Sequence, residues 1–323
     1  MQQITPRHHL VANLAPASSY PNPRSIRDQL PSIARNAIRC TCLAAMLLCM
    51  SSSASAQEIF DLNFSKYDEE QSYTRDDLDA DWNEPIWEDG IREGWVNIVG
   101  PEEAFRGRGK ALSIDFPAGS VGPKQGGAQW QMRWDQPATM VRLRYRVKFG
   151  EGFDFVRGGK LPGLAGGTAP SGSKPADGYN GWAARMMWRT DLSGTPGDPV
   201  QHSAKLMQYV KHPTSGSKLD GKQEDKLYWR DQDDEDIEIV AGKWYRITSL
   251  VKLNDVGRAN GIILGWLDGK RMLAERGIEF RYTDDLKIDM FYFTTFFGGS
   301  TSAWAASKDE TIYFDDFNIE IRQ

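Results

Sequence analysis

The sequence has few cysteines, and all three lie between residues 40 and 49. The stretch from Gln57 to Gln323 contains no thiol, which excludes disulfides and thiolate metal sites there. Only two histidines, His202 and His212, remain in that stretch. It has neither an H-E-x-x-H zinc motif nor a G-x-S-x-G nucleophile turn. The residues therefore give no support for a zinc hydrolase or a Ser-His-Asp hydrolase.

Long hydrophobic runs are also missing. No apolar stretch approaches the roughly 20 residues that a membrane-spanning helix needs. No long segment with helical periodicity occurs after residue 57. The 31 glycines, 16 prolines and 11% aromatic residues are instead typical of many short strands joined by turns. Coiled coils, helical bundles and multi-span membrane proteins are excluded.

The N-terminal region has the pattern of a secretory signal. Arginines precede an apolar stretch over residues 40–50, a serine run follows, and Ala54-Ser55-Ala56 has the small-x-small form of a cleavage site. We therefore predict a leader over residues 1–56, cleavage after Ala56, and one domain over residues 57–323. The mature protein is expected to be secreted or periplasmic.

The predicted mature chain is acidic. From residue 57 onward it carries 34 Lys and Arg against 43 Asp and Glu, a net charge of −9. Such a balance disfavours a broad basic surface for nucleic acid, and any anionic ligand must be met by a local cluster of Lys and Arg. We expect a monomer with no nucleic-acid partner and no membrane partner after cleavage.

Strand patterns recur along this chain. Residues 142–149 alternate strictly, with Leu143, Tyr145 and Val147 on one face and basic residues on the other. Further β-rich runs cover residues 244–253, 261–267, 290–297 and 311–321. We predict an all-β fold, a two-sheet antiparallel β-sandwich of jelly-roll type. Two long loops are expected over residues 163–181 and 213–236.

Basic and aromatic residues accompany tight glycines in three segments, at residues 153–167, 181–189 and 208–213. In the second segment, strand alternation places Arg185 and Arg189 on one face. Two arginines so placed suit carboxylates along a polymer. The alternative is a solvated strand face whose arginines pair with Asp or Glu, and the spacing alone leaves both interpretations open.

These segments resemble polysaccharide lyase family 14, which contains alginate and glucuronan-type lyases. The block G-G-K-L-P-G-L-A-G-G at 158–167 is the most specific part, followed by the R-x-M-W-R block at 185–189 and Tyr-Val-x-His-Pro at 209–213. The resemblance covers residues 149–323 well and 58–148 loosely. It implies a β-jelly roll whose concave polysaccharide-binding face holds an acidic polysaccharide, and cleavage by β-elimination without a metal or other cofactor. No motif indicates a structural calcium ion, and that question stays open.

The resemblance assigns the family's essential lysine to Lys160, its strand arginine to Arg185, and the first tyrosine of its Tyr-x-Tyr pair to Tyr209. Two positions depart from the family pattern. Ala183 stands where a serine is expected, and Lys211 stands at the second tyrosine. In an alternative register Met207 and Tyr209 stand at that pair, so one tyrosine is missing in either register. Both departures concern the substrate and the activity rather than the fold.

The residue types fit this chemistry independently. Elimination from a 4-linked uronate removes the C5 proton, which is α to a carboxylate, and a nearby cation neutralises the charge that develops. A tyrosine can take that proton and donate one to the departing O4. Lys160, Arg185 and Tyr209 can supply these roles. The predicted substrate-binding residues are Arg189, Lys211, His212, Tyr228 and Trp229.

Two other functions remain open. A non-catalytic carbohydrate-binding sandwich is favoured by the missing second tyrosine. A glycoside hydrolase with paired carboxylates stays open because Asp and Glu are plentiful, although no acidic pair stands out. The preferred uronic acid and the choice between endo and exo cleavage are not determined by the sequence.

Overall fold

The structure is a computed structural model and describes residues 56–68, 70–191, 199–216, 224–299 and 301–323. The predicted leader and its cysteines lie outside the described residues, apart from Ala56 at the leader's end. Seventeen strands and one α-helix are assigned within these ranges. The strands are β1 Ala56–Leu62, β2 Gln71–Ser72, β3 Ile86–Asp89, β4 Val96–Val99, β5 Ala111–Phe116, β6 Ala128–Ala138, β7 Met140–Phe149, β8 Gly158–Gly167, β9 Gly181–Arg189, β10 Ser203–Lys211, β11 Asp225–Tyr228, β12 Glu238–Val240, β13 Trp244–Lys252, β14 Gly261–Leu267, β15 Lys270–Ile278, β16 Ile288–Phe297 and β17 Glu310–Arg322. The helix α1 is Arg75–Trp82, and short 3-10 turns occur at Phe64–Lys66, Phe105–Gly107 and Ser302–Trp304.

The period-2 pattern of the sequence produces the strands. In β7 and in its neighbour β13, alternate residues are buried and their neighbours are partly exposed. Leu143, Tyr145 and Val147 enter the core, whereas Arg142 and Arg146 point to the opposite face and pair with Glu and Asp. Alternation thus gives each strand one face for the core.

The strands form two antiparallel sheets. The back sheet has the order β15-β14-β13-β7-β17-β5-β4-β2, with β1 paired to β17. The front sheet has the order β11-β10-β9-β8-β16-β6-β3, with β12 paired to β10. The predicted two-sheet antiparallel sandwich is confirmed.

An aromatic core fills the space between the sheets. Trp130 of β6 stacks on Phe293 of β16 with ring centroids 3.8 Å apart, and Phe317 of β17 packs against Phe293 from the back sheet. The helix α1 adds Trp82, which stacks on Phe291 at 5.5 Å. In the part of the chain that the structure describes, no helix is long and apolar enough to cross a membrane.

Both predicted long loops are partly wrong. The first was placed at residues 163–181, but β8 continues to Gly167 because its glycines allow close strand contact. A Cβ at Gly163 would lie 2.3 Å from the carbonyl oxygen of Ala184. The second, at 213–236, contains β11, a short edge strand paired to β10. The charged composition of this segment did not predict a strand, because an edge strand such as β11 buries few of its side chains.

The acidic run at 231–236 is held by neighbouring cations. Arg230 lies 3.1 Å from both Asp234 and Asp236, and Lys205 lies 3.2 Å from Asp236. Within the described ranges, no three or more His, Cys, Asp or Glu residues are grouped to hold a metal ion.

Candidate active site

The front sheet is buried on both of its faces at β9. Trp182, Ala184, Met186 and Trp188 point into the core, as the predicted alternation requires. Arg185 points to the outer face, yet only 2% of it is exposed. An outer sheet face with such low exposure is covered by neighbouring side chains and loops, and it is not a solvated strand surface.

Strand register sets a line of residues across this outer face, which we call the central row. Neighbouring strands lie about 4.8 Å apart, so residues paired in register form a continuous line across the sheet. From β11 to β6, the central row consists of Lys226, Tyr209, Arg185, Gly163, Tyr292 and Gln131.

Lys160, Arg185 and Tyr209 lie together in and beside this row. The Lys160 Nζ lies 3.8 Å from the ring centroid of Tyr209 and 2.9 Å from the sulfur of Met187. The Arg185 Cζ lies 5.9 Å from the Tyr209 centroid and 4.7 Å from that of Tyr292. The structure therefore brings together the three residues predicted to act in catalysis; their chemical roles remain predictions.

Gly163 separates Arg185 from Tyr292 in the central row. With no side chain there, the guanidinium of Arg185 can lie over the Tyr292 ring, a cation–π arrangement. The register between β8 and β9 shifts between Leu161 and Gly163, and this bulge occurs within the glycine-rich block. The block thus shapes the floor of the site.

The electrostatics of the site centre on Lys160 and Arg185. Burial, followed by the positive charge of Arg185, lowers the pKa of Lys160 well below its usual range, while Glu224 acts in the opposite direction. No ion pair to Lys160 or Arg185 occurs among the described residues, and the buried Nε of Arg185 has no hydrogen-bond partner there. Such cations would be stabilised by a bound anion.

Glu224 is a neighbour of Tyr209 that the sequence did not reveal. The Tyr209 hydroxyl donates a hydrogen bond to the Glu224 carboxylate, and Lys226 lies 3.3 Å from its other oxygen. The Glu224 side chain is only 4% exposed. It occurs in a charged segment without a motif, so only the pairing of β11 with β10 identifies it.

Lys211 is anchored to the segment between β8 and β9. It is 1% exposed, and its ammonium donates hydrogen bonds to the carbonyl oxygens of Gly172 at 2.6 Å and Lys174 at 3.2 Å. Its charge still contributes to lowering the pKa of Lys160. Lys211 therefore affects the site through this segment and through its charge.

Arg189 and Tyr228 extend the site toward one end of β9. The Arg189 Cζ lies 4.3 Å from the ring centroid of Trp304, and Arg189 also interacts with Tyr228. Tyr228 packs on Met187 beside Tyr209. Both predicted substrate-binding residues thus lie on the same outer face as Lys160.

His212 and Trp229 do not lie on that face. Trp229 is fully buried in the core, and its ring contacts Gly265 of the back sheet, where an added Cβ would lie 2.6 Å away. The His212 ring packs near Phe280 of the core, with Nε2 2.7 Å from Asp225 and Nδ1 3.1 Å from Thr214. Each of the two residues follows the last residue of its strand, and both side chains turn toward the core, so the structure does not bring them to the outer face; their role in substrate binding stays a prediction.

Comparisons with known proteins agree with this geometry. The alginate lyase Aly36B is 21% identical, with a TM-score of 0.63, covering 82% of this chain and 96% of that one. The marine alginate lyase of Aplysia kurodai is 22% identical, with a TM-score of 0.63, covering 81% and 98%. The Chlorella virus alginate lyase vAL-1 is 21% identical, with a TM-score of 0.55, covering 70% and 88%. These likenesses show the fold.

A search of the curated proteins found no match. The family model of polysaccharide lyase 14, in contrast, matches residues 105–317. This range contains Lys160, Arg185 and Tyr209, and it covers more than half of the chain. The chain therefore belongs to polysaccharide lyase family 14 and is a polysaccharide lyase.

Proposed function

We propose that this lyase cleaves a 4-linked polyuronate of the alginate or glucuronan type by metal-independent β-elimination, which leaves a 4,5-unsaturated uronate at the new end. The observation that carries the proposal is the pair of cationic groups, the partly buried Lys160 and the buried Arg185, beside the ring of Tyr209 and without carboxylate partners among the described residues. A substrate carboxylate would complete this arrangement.

Structural neighbours support the choice of polymer. An Aly36B variant with a lysine and a tyrosine replaced by alanine is in complex with alginate tetrasaccharide. Another, with a lysine and a methionine replaced, is in complex with alginate trisaccharide. In this chain, Lys160, Met187 and Tyr209 are mutual neighbours on one sheet face.

Lys160 and Arg185 would bind the carboxylate of the sugar that loses its proton. Negative charge spreads onto that carboxylate as the C5–H bond breaks, so cations fixed beside it stabilise the transition state more than the bound substrate. Both are held by packing and by β8–β9 pairing, so little reorganisation is needed when the charge develops.

Tyr209 would handle the protons. Its hydroxyl is hydrogen-bonded to Glu224, which can receive the hydroxyl proton, and Lys160 and Arg185 beside its ring would stabilise the phenolate that then accepts the C5 proton. The C5–H electron pair then forms the C4–C5 double bond, and the bond from C4 to O4 breaks. The proton now on Tyr209 passes to the departing O4, which restores the phenolate.

The experiment that tests the function is incubation with alginate, glucuronan and a neutral 4-linked glucan. We expect the ultraviolet absorbance of the conjugated unsaturated uronate to rise with one or both polyuronates and to stay constant with the glucan. Absence of any rise on the polyuronates, with the protein folded, would refute the lyase assignment for these substrates.

A second candidate is a non-catalytic carbohydrate-binding sandwich. The observation in its favour is Lys211, which stands at the predicted second tyrosine position and whose ammonium is bonded to backbone carbonyls. Retention on a polyuronate gel without an unsaturated product would select this candidate. A glycoside hydrolase would instead release reducing ends without any ultraviolet absorbance.

We also propose that the protein is exported and acts outside the cytoplasm. The support is the apolar stretch at 40–50 followed by the small-x-small site at Ala54-Ser55-Ala56. N-terminal sequencing of exported material should start at or near Gln57. Exported protein that retains Cys49 would refute this cleavage site.

A further inference from the structure

The outer face of the front sheet continues beyond Arg185 to an exposed aromatic residue. Trp87, on β3 at the far edge of this sheet, is 46% exposed. Its ring centroid lies 5.8 Å from that of Tyr292, which itself lies 4.7 Å from the Arg185 Cζ. Tyr209, Arg185, Tyr292 and Trp87 therefore form an unbroken line of rings and one guanidinium.

The backbone holds Trp87 in an unfavourable conformation. Its φ is +69°, in the left-handed region that bulky side chains seldom adopt. The register between β3 and β6 shifts between Ile86 and Asp89, and this irregularity places the indole over the sheet face instead of in the core. A strained residue with an exposed indole needs a reason beyond packing, and binding sites are where such strain is found.

A side-chain amide and a carboxylate lie beside this aromatic pair, in addition to the Arg185 guanidinium at the Tyr292 ring. The Tyr292 hydroxyl donates to Gln129 Oε1 at 3.2 Å, and Gln129 Nε2 donates to Asp89 at 3.2 Å. This end of the face thus offers rings, an amide and a carboxylate, in contrast to the cationic groups around Lys160. It suits the apolar face and hydroxyls of a pyranose ring better than a sugar carboxylate.

We propose that Trp87, backed by the buried ring of Tyr292, forms a further sugar subsite, in which the exposed indole takes a pyranose unit of the polysaccharide by stacking at a distance from the bond that is cleaved. This rests on the proposed function, because the occupant is the chain of the same substrate continuing along the central row. Trp87 lies outside residues 105–317, so the exposed indole of the subsite is a feature of this chain beyond the region that the family model matches, whereas Tyr292 lies within that region.

The test compares long and short substrates. Trp87→Ala should raise the KM for polymer about fivefold, the loss of one aromatic contact, with kcat unchanged. The KM for the shortest cleaved oligosaccharide, which cannot span from Lys160 to Trp87, should not change. Trp87→Phe should restore most of the polymer affinity. Trp244→Ala, which removes a tryptophan on the back sheet, serves as the matched control and should leave both KM values unchanged.

A binding experiment distinguishes a result that refutes the Trp87 subsite from a result that refutes the proposed lyase function. In a Tyr209→Phe background, Trp87→Ala should weaken polymer binding about fivefold in calorimetry. An equal effect of Trp87→Ala on long and short substrates, or none on either, overturns the subsite while the lyase stands. Self-association of the wild type that is abolished by Trp87→Ala would assign the indole to a contact between copies and also overturn it. No unsaturated product and no polymer binding in the wild type would overturn both.

Discussion

The two outer faces of the sandwich carry the same kind of residue in the same pattern, yet their arginines and lysines have different neighbours. On the back sheet, Arg142 pairs with Glu320, Arg146 with Asp316 at 2.6 Å, and Lys148 with Glu103 at 2.6 Å. On the front sheet, Lys160 and Arg185 contact Met187 and the rings of Tyr209 and Tyr292.

This difference distinguishes cations that form ion pairs within the folded protein from cations that are available to bind an anionic ligand. An ion pair near the surface leaves little for a ligand to gain and contributes little to stability. A cation placed among aromatic rings and a thioether loses its hydration without forming an ion pair to a carboxylate, and this desolvation lowers the stability of the protein without its ligand. The front-sheet arrangement is therefore expected where an anionic substrate supplies the missing partner.

The largest expected effect follows from removing one oxygen atom at the front face. Tyr209→Phe should lower the rate of elimination about a thousandfold or more, because the proton acceptor is lost. Polymer binding should change by less than about twofold, since the ring beside Lys160 remains. The absorbance assay and calorimetry on the same preparation measure the two quantities. Full activity in this variant would overturn the assignment of Tyr209.

Lys160→Met should separate activity from stability. We expect a loss of about a hundredfold or more in kcat, the scale of one preorganised stabilising group. The melting temperature at neutral pH should rise by about 2–4 °C, because a buried cation with a lowered pKa is removed. At pH values between the lowered pKa of Lys160 and the ordinary lysine pKa, the folded wild type binds fewer protons than its unfolded chain, so its stability rises with pH. The difference in melting temperature between Lys160→Met and the wild type should therefore become smaller as the pH rises through this range. A lower melting temperature at neutral pH would contradict this account.

Matched substitutions on the two faces test the comparison itself. Arg185→Gln should raise KM about tenfold and lower kcat as well, because the charge contacts the carboxylate before and during the reaction. Arg142→Gln on the back sheet should leave both constants unchanged and cost no more than about 1 kcal/mol of stability. Equal kinetic effects of the two substitutions would show that the faces do not differ in function.

The smallest expected effect is a shift in the pH profile. Glu224 raises the pKa of Lys160 and Lys211 lowers it, so their replacement should act in opposite directions. If protonated Lys160 binds the carboxylate, Glu224→Gln should move the alkaline limb of kcat/KM to lower pH and Lys211→Met should move it to higher pH, each by about half a unit to one unit. The limb of the Glu224→Gln protein is measured on its remaining activity, because Glu224 is also the proposed acceptor of the Tyr209 proton. Shifts in the same direction would show that another group sets this limb.

Strand alternation and the family resemblance predicted much of the fold and the centre of the site. The alternation of 142–149 and of 182–189 identified which side chains enter the core, because a pleated strand leaves no other choice. The glycine-rich block located Lys160. The same alternation would also have placed Tyr292 on the outer face, since its neighbours Phe291 and Phe293 enter the core, but no separate signal in the sequence pointed to this residue.

The rest of the site depends on contacts that the sequence does not encode locally. Trp229 and His212 follow residues that do face the site, and their burial is decided by what lies beneath them, Gly265 and Phe280. Glu224 reaches Tyr209 only because β11 pairs with β10. Periodicity could not distinguish the paired arginines of the back sheet from Arg185 of the front sheet.

The most direct test of the central claim compares binding of native polyuronate with binding of the same polymer after its carboxyl groups have been reduced to alcohols. Calorimetry with the Tyr209→Phe protein measures both without turnover. If Lys160 and Arg185 bind the substrate carboxylate, the native polymer should bind at least about a hundredfold more tightly than the carboxyl-reduced polymer. Arg185→Gln should remove most of that difference in affinity. Equal affinity for the two polymers would contradict the account.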